Sequence, residues 1–471
     1  MKAFLRRNKQ ILLILAITLA FHILVGLLTK SYILMQKDSD SYSMFTQNIF
    51  LGQVNLMRTP LYPLFIMLVR LISFSPSGYI PIVIAQEIVS LISLVFMYKI
   101  IKRYTKNNKL IYAFSFIYSL QPTIWHWNKC ILTESLSISL CVIFAWLLIQ
   151  HIDKPKIWSA ITIAIGSFLF IMLRPSFLAL FAIIIGFWIV RFIFSKIDRK
   201  QSAIGFGISM VCLLLLFGYM HLNYLQNGLY GITNVESGNQ IMNLVGGDIY
   251  QNPEYQDIVD SLIQSPYWSD KKDLLFALGW EPFSKQFGFN FTPKYISDYV
   301  SDTIKLHFSG YAKYTGEKFL KTVGYPISSI IPLSTPEEYL ADINSGSYNS
   351  AENAKWQAIT SSYWNINIIN FLTFIVLPVP FIIVYIYLAW VLIYAIVKWA
   401  KGKLDWIDLG FSLIVIAQFV TFIISVPPYQ YSRLLVPALP FLFVLVYKHI
   451  TEGRFGWFNM KFTKTKAEGK G

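Results

Sequence analysis

Charge is scarce in this sequence. Only 14% of its 471 residues are Asp, Glu, Lys or Arg, whereas an ordinary soluble domain carries roughly 25%. Hydrophobic residues reach 55% and aromatics 17%. A water-soluble globule is excluded, and an all-α polytopic membrane protein is expected. Cysteine is scarcer still: Cys130, Cys141 and Cys212 lie scattered in or beside apolar runs, so neither a disulfide framework nor a thiolate metal site has its spacing. The six histidines, at 22, 126, 151, 221, 307 and 449, show no zinc-ligand interval. His126 reads as an interfacial aromatic.

What is present is a succession of apolar runs. A hydrocarbon core of about 30 Å takes roughly 20 helical residues. Runs of about that length occupy 10–29, 79–101, 109–125, 130–151, 157–173, 175–195, 202–224, 367–397, 405–426 and 431–449, giving about ten transmembrane helices. The first run follows Lys2, Arg6, Arg7 and Lys9. It is too long for a cleaved leader and no small-residue cleavage site follows, so it reads as a retained signal anchor.

Segment 61–74, "LYPLFIMLVRLISF", would reach only about 21 Å as a helix, and Arg70 would sit well inside it. Omitting it as a span places the loop "YKIIKRYTKNNK", "DKPK", "RFIFSKIDRK", "KWAKGK" and the Lys-rich tail all on one side, with the N-terminus. The positive-inside rule makes that side cytoplasmic, in a plasma or inner membrane. Segment 61–74 then becomes an interfacial or re-entrant helix. The net charge of +15 is largely this topological signal, and no nucleic-acid partner is expected.

The organisation that follows is an N-terminal transmembrane catalytic module at 1–224 with its first external loop at 30–78, an external and mainly helical domain at 225–365, C-terminal transmembrane helices at 366–450 and a basic cytoplasmic tail at 451–471. Within the external domain, Thr292 as N-cap and Pro293 in the first turn open a helix, followed by "SGYAKYTGEKFLKTV". The stretches "NGLYGITNVESGNQ" and "DINSGSYNSAEN" read as loops.

Nearly every unusual polar residue falls on the outer side. Asp38 and Tyr42 stand four apart and share a helical face, while Asp40 points elsewhere. The bland alternative is that both acids cap the helix "SYSMFTQNIF". Glu134, at the external edge of its span, occupies a place where an acid usually faces a cavity or a partner; a shared helix start with Thr133 or Ser135 is its bland reading. Glu87, deeper in "IAQEIVS", is a second candidate. Arg58, Lys129, Arg174 and Arg433 stand at external membrane edges. Singly each is an ordinary snorkelling cation. Together, beside external carboxylates, they point to a bound anion, because arginine offers a planar fork of donors suited to phosphate.

The order of these features resembles the GT-C glycosyltransferases, polyprenyl-phosphate-sugar-dependent membrane enzymes that include protein O-mannosyltransferases and the lipid A aminoarabinose transferase. The matching pieces are "DSDSY" after the first span, "RTPLYPLF", "LTESL", "LRP" and the late "YSRLLVPALP". They cover the N-terminal half in order, plus the last span. In the family's D-E-x-x-Y form the aspartate precedes the tyrosine by four, so the resemblance maps the catalytic carboxylate onto Asp38 rather than Asp40. Ser39 stands where that form has its second acid, and Arg58 where a lysine precedes the proline helix.

The resemblance implies transfer of a sugar from a polyprenyl-phosphate donor in the membrane lipid to a glycan, lipid or protein acceptor on the outer face, with inversion. Candidate catalytic residues are Asp38 as base, Glu134 as acceptor-orienting or second acid, and Asp40. Candidate substrate-binding residues are Tyr42, Arg58, Tyr62, Lys129, Arg174, Tyr431 and Arg433. No cofactor is required, and a divalent metal between the acids is the minority alternative. Two rivals compete: a flippase of lipid-linked sugars, which predicts polar residues through mid-membrane, and an oligosaccharide polymerase or ligase, which shares the chemistry.

Overall fold

Every described element of the computed structural model is helical, with no strand among the described residues. Hydrocarbon imposes this, because each backbone N–H and C=O must find its partner within its own segment. The structure describes residues 2–29, 33, 38–44, 52–74, 78–195, 197–264, 291–323, 381–402, 405–425 and 435–454. The chain opens with α1 (Lys2–Thr29), a short α2 (Ser39–Met44) and α3 (Leu61–Ser73). Next come α4 (Ile80–Tyr104), α5 (Asn108–Ser119), α6 (Pro122–Lys129), α7 (Thr133–Asp153), α8 (Ile157–Leu173), α9 (Leu178–Phe194) and α10 (Arg199–Asn227). A polar section holds α11 (Val235–Gly246), α12 (Gln256–Gln264), α13 (Pro293–Leu306) and α14 (Phe308–Val323). The last helices are α15 (Phe381–Ala400), α16 (Trp406–Ser425) and α17 (Leu439–Thr451).

Seven of these helices are long and apolar enough to cross a membrane: α1, α4, α7, α9 with its preceding turn, α10, α15 and α16. Three further apolar helices are shorter, at Leu61–Ser73, Ile157–Leu173 and Val436–Thr451. The protein is a multi-pass helical membrane protein. At its centre runs α7, packed against α4, α6, α8, α16 and α17 and buried along most of its length. The polar section has a core of its own around Leu244, Ile258, Val259, Leu262 and Tyr299. Thr292 caps α13 by accepting from the Tyr295 N–H at 3.2 Å.

Three boundaries depart from the apolar runs. The run 109–125 is two helices: α5 ends at Ser119, Leu120 and Gln121 break the path, and Pro122 opens α6. Proline drives the residue before it out of the helical region, and Gln121 is extended, at φ −63° and ψ 134°. The run 130–151 begins its helix only at Thr133, so Glu134 lies in the first turn of α7. The stretch "NGLYGITNVESGNQ", read as a loop, is helical from Val235 onward, because Ile241, Leu244 and Val245 find a core that composition does not announce. Residues 367–380, "DINSGSYNSAEN" and the tail beyond Arg454 lie outside the described residues.

Side-chain contacts define the two ends of the bundle. At one end Arg103 of α4 pairs with Asp153 of α7, Lys448 of α17 pairs with Asp405 and Asp408 around the start of α16, and Arg191 of α9 lies over the Trp406 ring. We call this the capped end. The opposite end gathers residues 38–44 and 52–60, the starts of α7 and α9, and the polar section. There the Tyr311 hydroxyl and Asn243 Nδ2 both donate to the Ile424 carbonyl, at 2.9 and 3.2 Å, and so dock α14 and α11 on the last turn of α16.

Candidate active site

The loop 52–60 is built to present Arg58. Asn55 Oδ1 accepts from the Met57 and Arg58 N–H groups at 2.8 and 2.9 Å, an Asx turn that fixes the backbone locally. The end of α10 holds the loop from one side, with the Val54 N–H donating to Gln226 Oε1 at 2.7 Å and Asn227 Nδ2 to the Val54 carbonyl at 3.0 Å. The Asn234 N–H, next to α11, donates to the Leu56 carbonyl at 2.8 Å.

Arg58 then reaches back to the α2 region. Its Nη2 donates to Asp38 Oδ1 at 2.7 Å and its Nε to Ser41 Oγ at 2.8 Å. Its guanidinium lies 4.5 Å over the Tyr42 ring. Asp38 occupies the turn just before α2 rather than a helical face shared with Tyr42; the arginine, not a common helix, unites the two. Tyr42 meets Tyr62 edge-on, with ring centres 5.2 Å apart at 90°. Tyr62 is fully buried, and its hydroxyl donates to Gln86 Oε1 at 2.7 Å. Burial above all, then the ionisable groups of Tyr42, Glu134 and Cys130, raises the Tyr62 hydroxyl well above the usual phenol range.

Gln86 anchors this stack. Its Nε2 donates to the Asn128 and Cys130 carbonyls at 2.8 and 2.9 Å, where the chain unwinds between α6 and α7. A second arginine–carboxylate pair stands beside the first: Arg174 Nη1 lies 3.7 Å from Glu134 Oε1, and both residues are buried. Thr59 Oγ1 donates to the Leu173 carbonyl at 3.1 Å. The residue after Arg58 is thereby stitched to the residue before Arg174.

The structure therefore brings Asp38, Tyr42, Arg58 and Tyr62 into one contact chain, with Glu134 and Arg174 adjoining. Lys129 does not join them. It turns onto α1, where a Cβ added at Gly26 would stand 3.0 Å from Nζ. Asp40 belongs to α2 by its backbone, and its side chain lies outside the described residues, as do Tyr431 and Arg433. His126 is buried, its ring 5.0 Å from that of Trp127, rather than interfacial. Among the described residues no group of three His, Cys, Asp or Glu side chains is placed to hold a metal ion; Asp38 and Glu134 each face an arginine.

Sequence reasoning missed Ser41, Gln86 and Asn128 as site-building residues, and it missed the partner of Glu87. His22 Nδ1 stands 2.6 Å from Glu87 Oε1, and His22 Nε2 stands 2.9 Å from the Ser119 carbonyl. A carbonyl only accepts, so Nε2 donates to Ser119, and the Nδ1–Glu87 contact holds a further proton between the ring and the carboxyl group. Asn128 Nδ2 donates to Glu87 Oε2 at 2.8 Å, and Ser135 Oγ to Asn128 Oδ1 at 2.8 Å. Thr18, one turn before His22, bonds Ser119 Oγ at 2.8 Å; that polar i, i+4 pair in an otherwise apolar run was the available signal. No protein-family model, no curated protein and no solved structure matches the chain. Chemistry must be argued from this geometry.

Proposed function

We propose that the protein is a GT-C-type glycosyltransferase. It moves a sugar from a polyprenyl-phosphate donor to a glycan, lipid or protein acceptor on the extracytoplasmic face, with both termini cytoplasmic and ten crossings, the broken α5–α6 pair counting as one. The observation that carries the reading is the Thr59–Leu173 stitch, which sets two arginines, each already holding a carboxylate, side by side at the end of an apolar bundle. Such a place suits a ligand whose phosphate lies at headgroup level and whose tail lies in lipid. The resemblance in residue order points to the same chemistry.

In this reading the donor phosphate competes with Asp38 for the Arg58 fork. Arg58 turns from carboxylate to phosphate, and Asp38 is left facing the acceptor. The acceptor hydroxyl oxygen bonds to the anomeric carbon from the face opposite the phosphate. Asp38 takes the hydroxyl proton, and the anomeric carbon–oxygen bond breaks with its electron pair passing to the leaving phosphate, so the sugar is inverted. General-base assistance contributes roughly 10²–10⁴ in rate. Arg58 and Arg174 stabilise the charge growing on the phosphate, where preorganised donors act most strongly. Glu134, buried against Arg174, acts through that arginine by holding it in place.

A second reading, a transporter of lipid-linked sugars, draws on one observation: the His22–Glu87–Asn128 network places ionisable groups inside the membrane portion, where they usually mark a path. One experiment separates the two. Purified protein in detergent is given a labelled polyprenyl-monophosphate sugar and an acceptor mixture from its own membranes. Transferase action predicts a labelled product, lost by two or more orders of magnitude in Asp38→Asn but by less than about tenfold in Asp40→Asn. Equal activity of the two variants would remove Asp38 as base, and intact donor after incubation with wild-type protein would leave the transport reading.

A further inference from the structure

A buried ammonium without a partner is costly, because the charge loses water and gains nothing in return. The ammonium of Lys129, the last residue of α6, is offset only by the charge of Glu87 and the face of the Trp125 ring among the described residues. Lys129 is 7% exposed, and among the described residues its Nζ has no hydrogen-bond partner. The carboxylate whose charge reaches it is Glu87, and both oxygens of Glu87 are already engaged, one with His22 and one with Asn128. One turn earlier on the same face of α6, Trp125 is fully buried, and its Nε1–H likewise has no hydrogen-bond partner among the described residues. The ammonium lies 5.2 Å from the Trp125 ring centre.

Opposite these donors α1 carries Gly26. Nζ lies against this glycine, so a side chain there would press on the ammonium: even a Cβ would stand at 3.0 Å. The outward face of the same turns of α1, with Ile23, Leu24 and Leu27 each more than half exposed, meets lipid. Two buried donors without a hydrogen-bond partner among the described residues, a glycine against one of them and an exposed apolar helix face thus lie together near the last turns of α1. The Arg58 and Arg174 pairs lie beyond Gln86 and Tyr62, on the other side of the Asn128–Cys130 stretch.

We propose that Lys129, Trp125 and Gly26 form a second anion site, separate from the arginine pair, that holds a phosphate group as carried by an anionic lipid headgroup. Lysine serves phosphate as a point charge, and the indole N–H supplies a second donor at the membrane–water boundary, where tryptophan commonly has one polar end. The proposal does not rest on the transferase reading, because occupancy of this site involves no sugar and no acceptor.

The test is retention of lipid by the full-length protein, reconstituted with equal parts phosphatidylglycerol and phosphatidylcholine, extracted in detergent and weighed as the intact complex by mass spectrometry. Wild-type protein is expected to keep phosphatidylglycerol. Lys129→Met, which retains the stem over Trp125, should keep about tenfold less. Gly26→Ala, which favours the helix while crowding Nζ, should also keep less, and its intact helix guards against simple misfolding. Arg58→Ala should retain as much as wild type. Inorganic phosphate titrated against the complex distinguishes the source: displacement of the lipid, dependent on Lys129, assigns the site to free phosphate as well, and no displacement assigns it to the headgroup. Equal retention by wild type and Lys129→Met overturns the proposal. Loss of the lipid in Arg58→Ala overturns it too, because the two sites would then be one.

Discussion

The two ends of the bundle use the same charged residues to opposite purpose. At the capped end the acids share several cations: Asp408, fully buried, accepts from Lys448 Nζ at 2.6 Å and Arg454 Nη1 at 2.6 Å and meets His449 Nε2 at 3.0 Å. These groups sit at helix termini, at the start of α16 and the close of α17. At the site end Asp38 meets Arg58 and Glu134 meets Arg174, and Arg58 arrives on a loop held by amide side chains. A charge network tied to helix ends from several directions resists rearrangement. An arginine carried on a loop over an aromatic ring, rather than fixed at a helix end, is placed to exchange its carboxylate for another anion, which in the proposed function suits binding rather than bracing.

Substitutions should break this contrast in order of size. The largest effect is expected from Asp408→Asn, which removes the fully buried acid that Lys448, His449 and Arg454 share, leaves Asp405 to serve Lys448 and Arg454, and should destabilise the protein by up to about 3–5 kcal/mol. Thermal unfolding in detergent should show it, with any loss of activity following the loss of folded protein. Arg58→Ala should do the reverse. Transfer should fall by roughly 10²–10³, about 2.7–4 kcal/mol of barrier, with unfolding temperature little changed, and Arg58→Lys should restore only part, because a point charge does not replace the fork. A large drop in unfolding temperature for Arg58→Ala would make the site end a brace like the other.

The polar section offers a finer probe. Lys318 of α14 is fully buried and donates to Asn243 Oδ1 at 2.9 Å, and burial pushes its ammonium down to about 7. The unfolded chain keeps that proton up to about 10.5, the ordinary lysine value. Folding therefore carries a penalty that is absent above about 10.5, grows as pH falls and is complete near 7. Each pH unit within that window is worth roughly 1.4 kcal/mol. Unfolding temperature should rise between pH 7 and pH 9 in wild type, and this part of the rise should vanish in Lys318→Met; an identical slope in both would show that another group titrates. The smallest effect is expected at Arg103→Ala. That pair with Asp153 has side chains 30% and 36% exposed, so its loss should cost under about 1 kcal/mol, and a larger cost by chemical or thermal unfolding would make even the rim of the capped end part of the brace.

Hydropathy and the Lys/Arg distribution made the helical, multi-pass character legible, because hydrocarbon leaves the backbone so few alternatives. The pairing of Asp38, Tyr42 and Arg58 was partly legible from sidedness and spacing. What joins them was not: Gln86 is one amide in an apolar helix, and nothing in a linear pattern says that it binds the carbonyls of residues 128 and 130. Lys129 misled for the same reason. An external edge position does not say which way the last turn of a short helix faces, and here it faces Gly26. The helix α11 was hidden because its composition suits a loop, while tertiary burial of three aliphatic residues overrides it.

The break between α5 and α6 has a consequence for how the chain enters the membrane during synthesis. A helix of 12 residues measures only about 18 Å, well short of a bilayer, and its end bares main-chain oxygens that oil cannot satisfy. His22 of α1 meets one of them, at Ser119, and Gln86 of α4 meets two more at the end of α6, on Asn128 and Cys130. Residues 108–129 therefore have no comfortable existence in lipid alone, and the insertion machinery must deliver them against helices already in place. Biogenesis of this region should be a joint event of three segments, and a defect in the first helix should surface as a misplaced third.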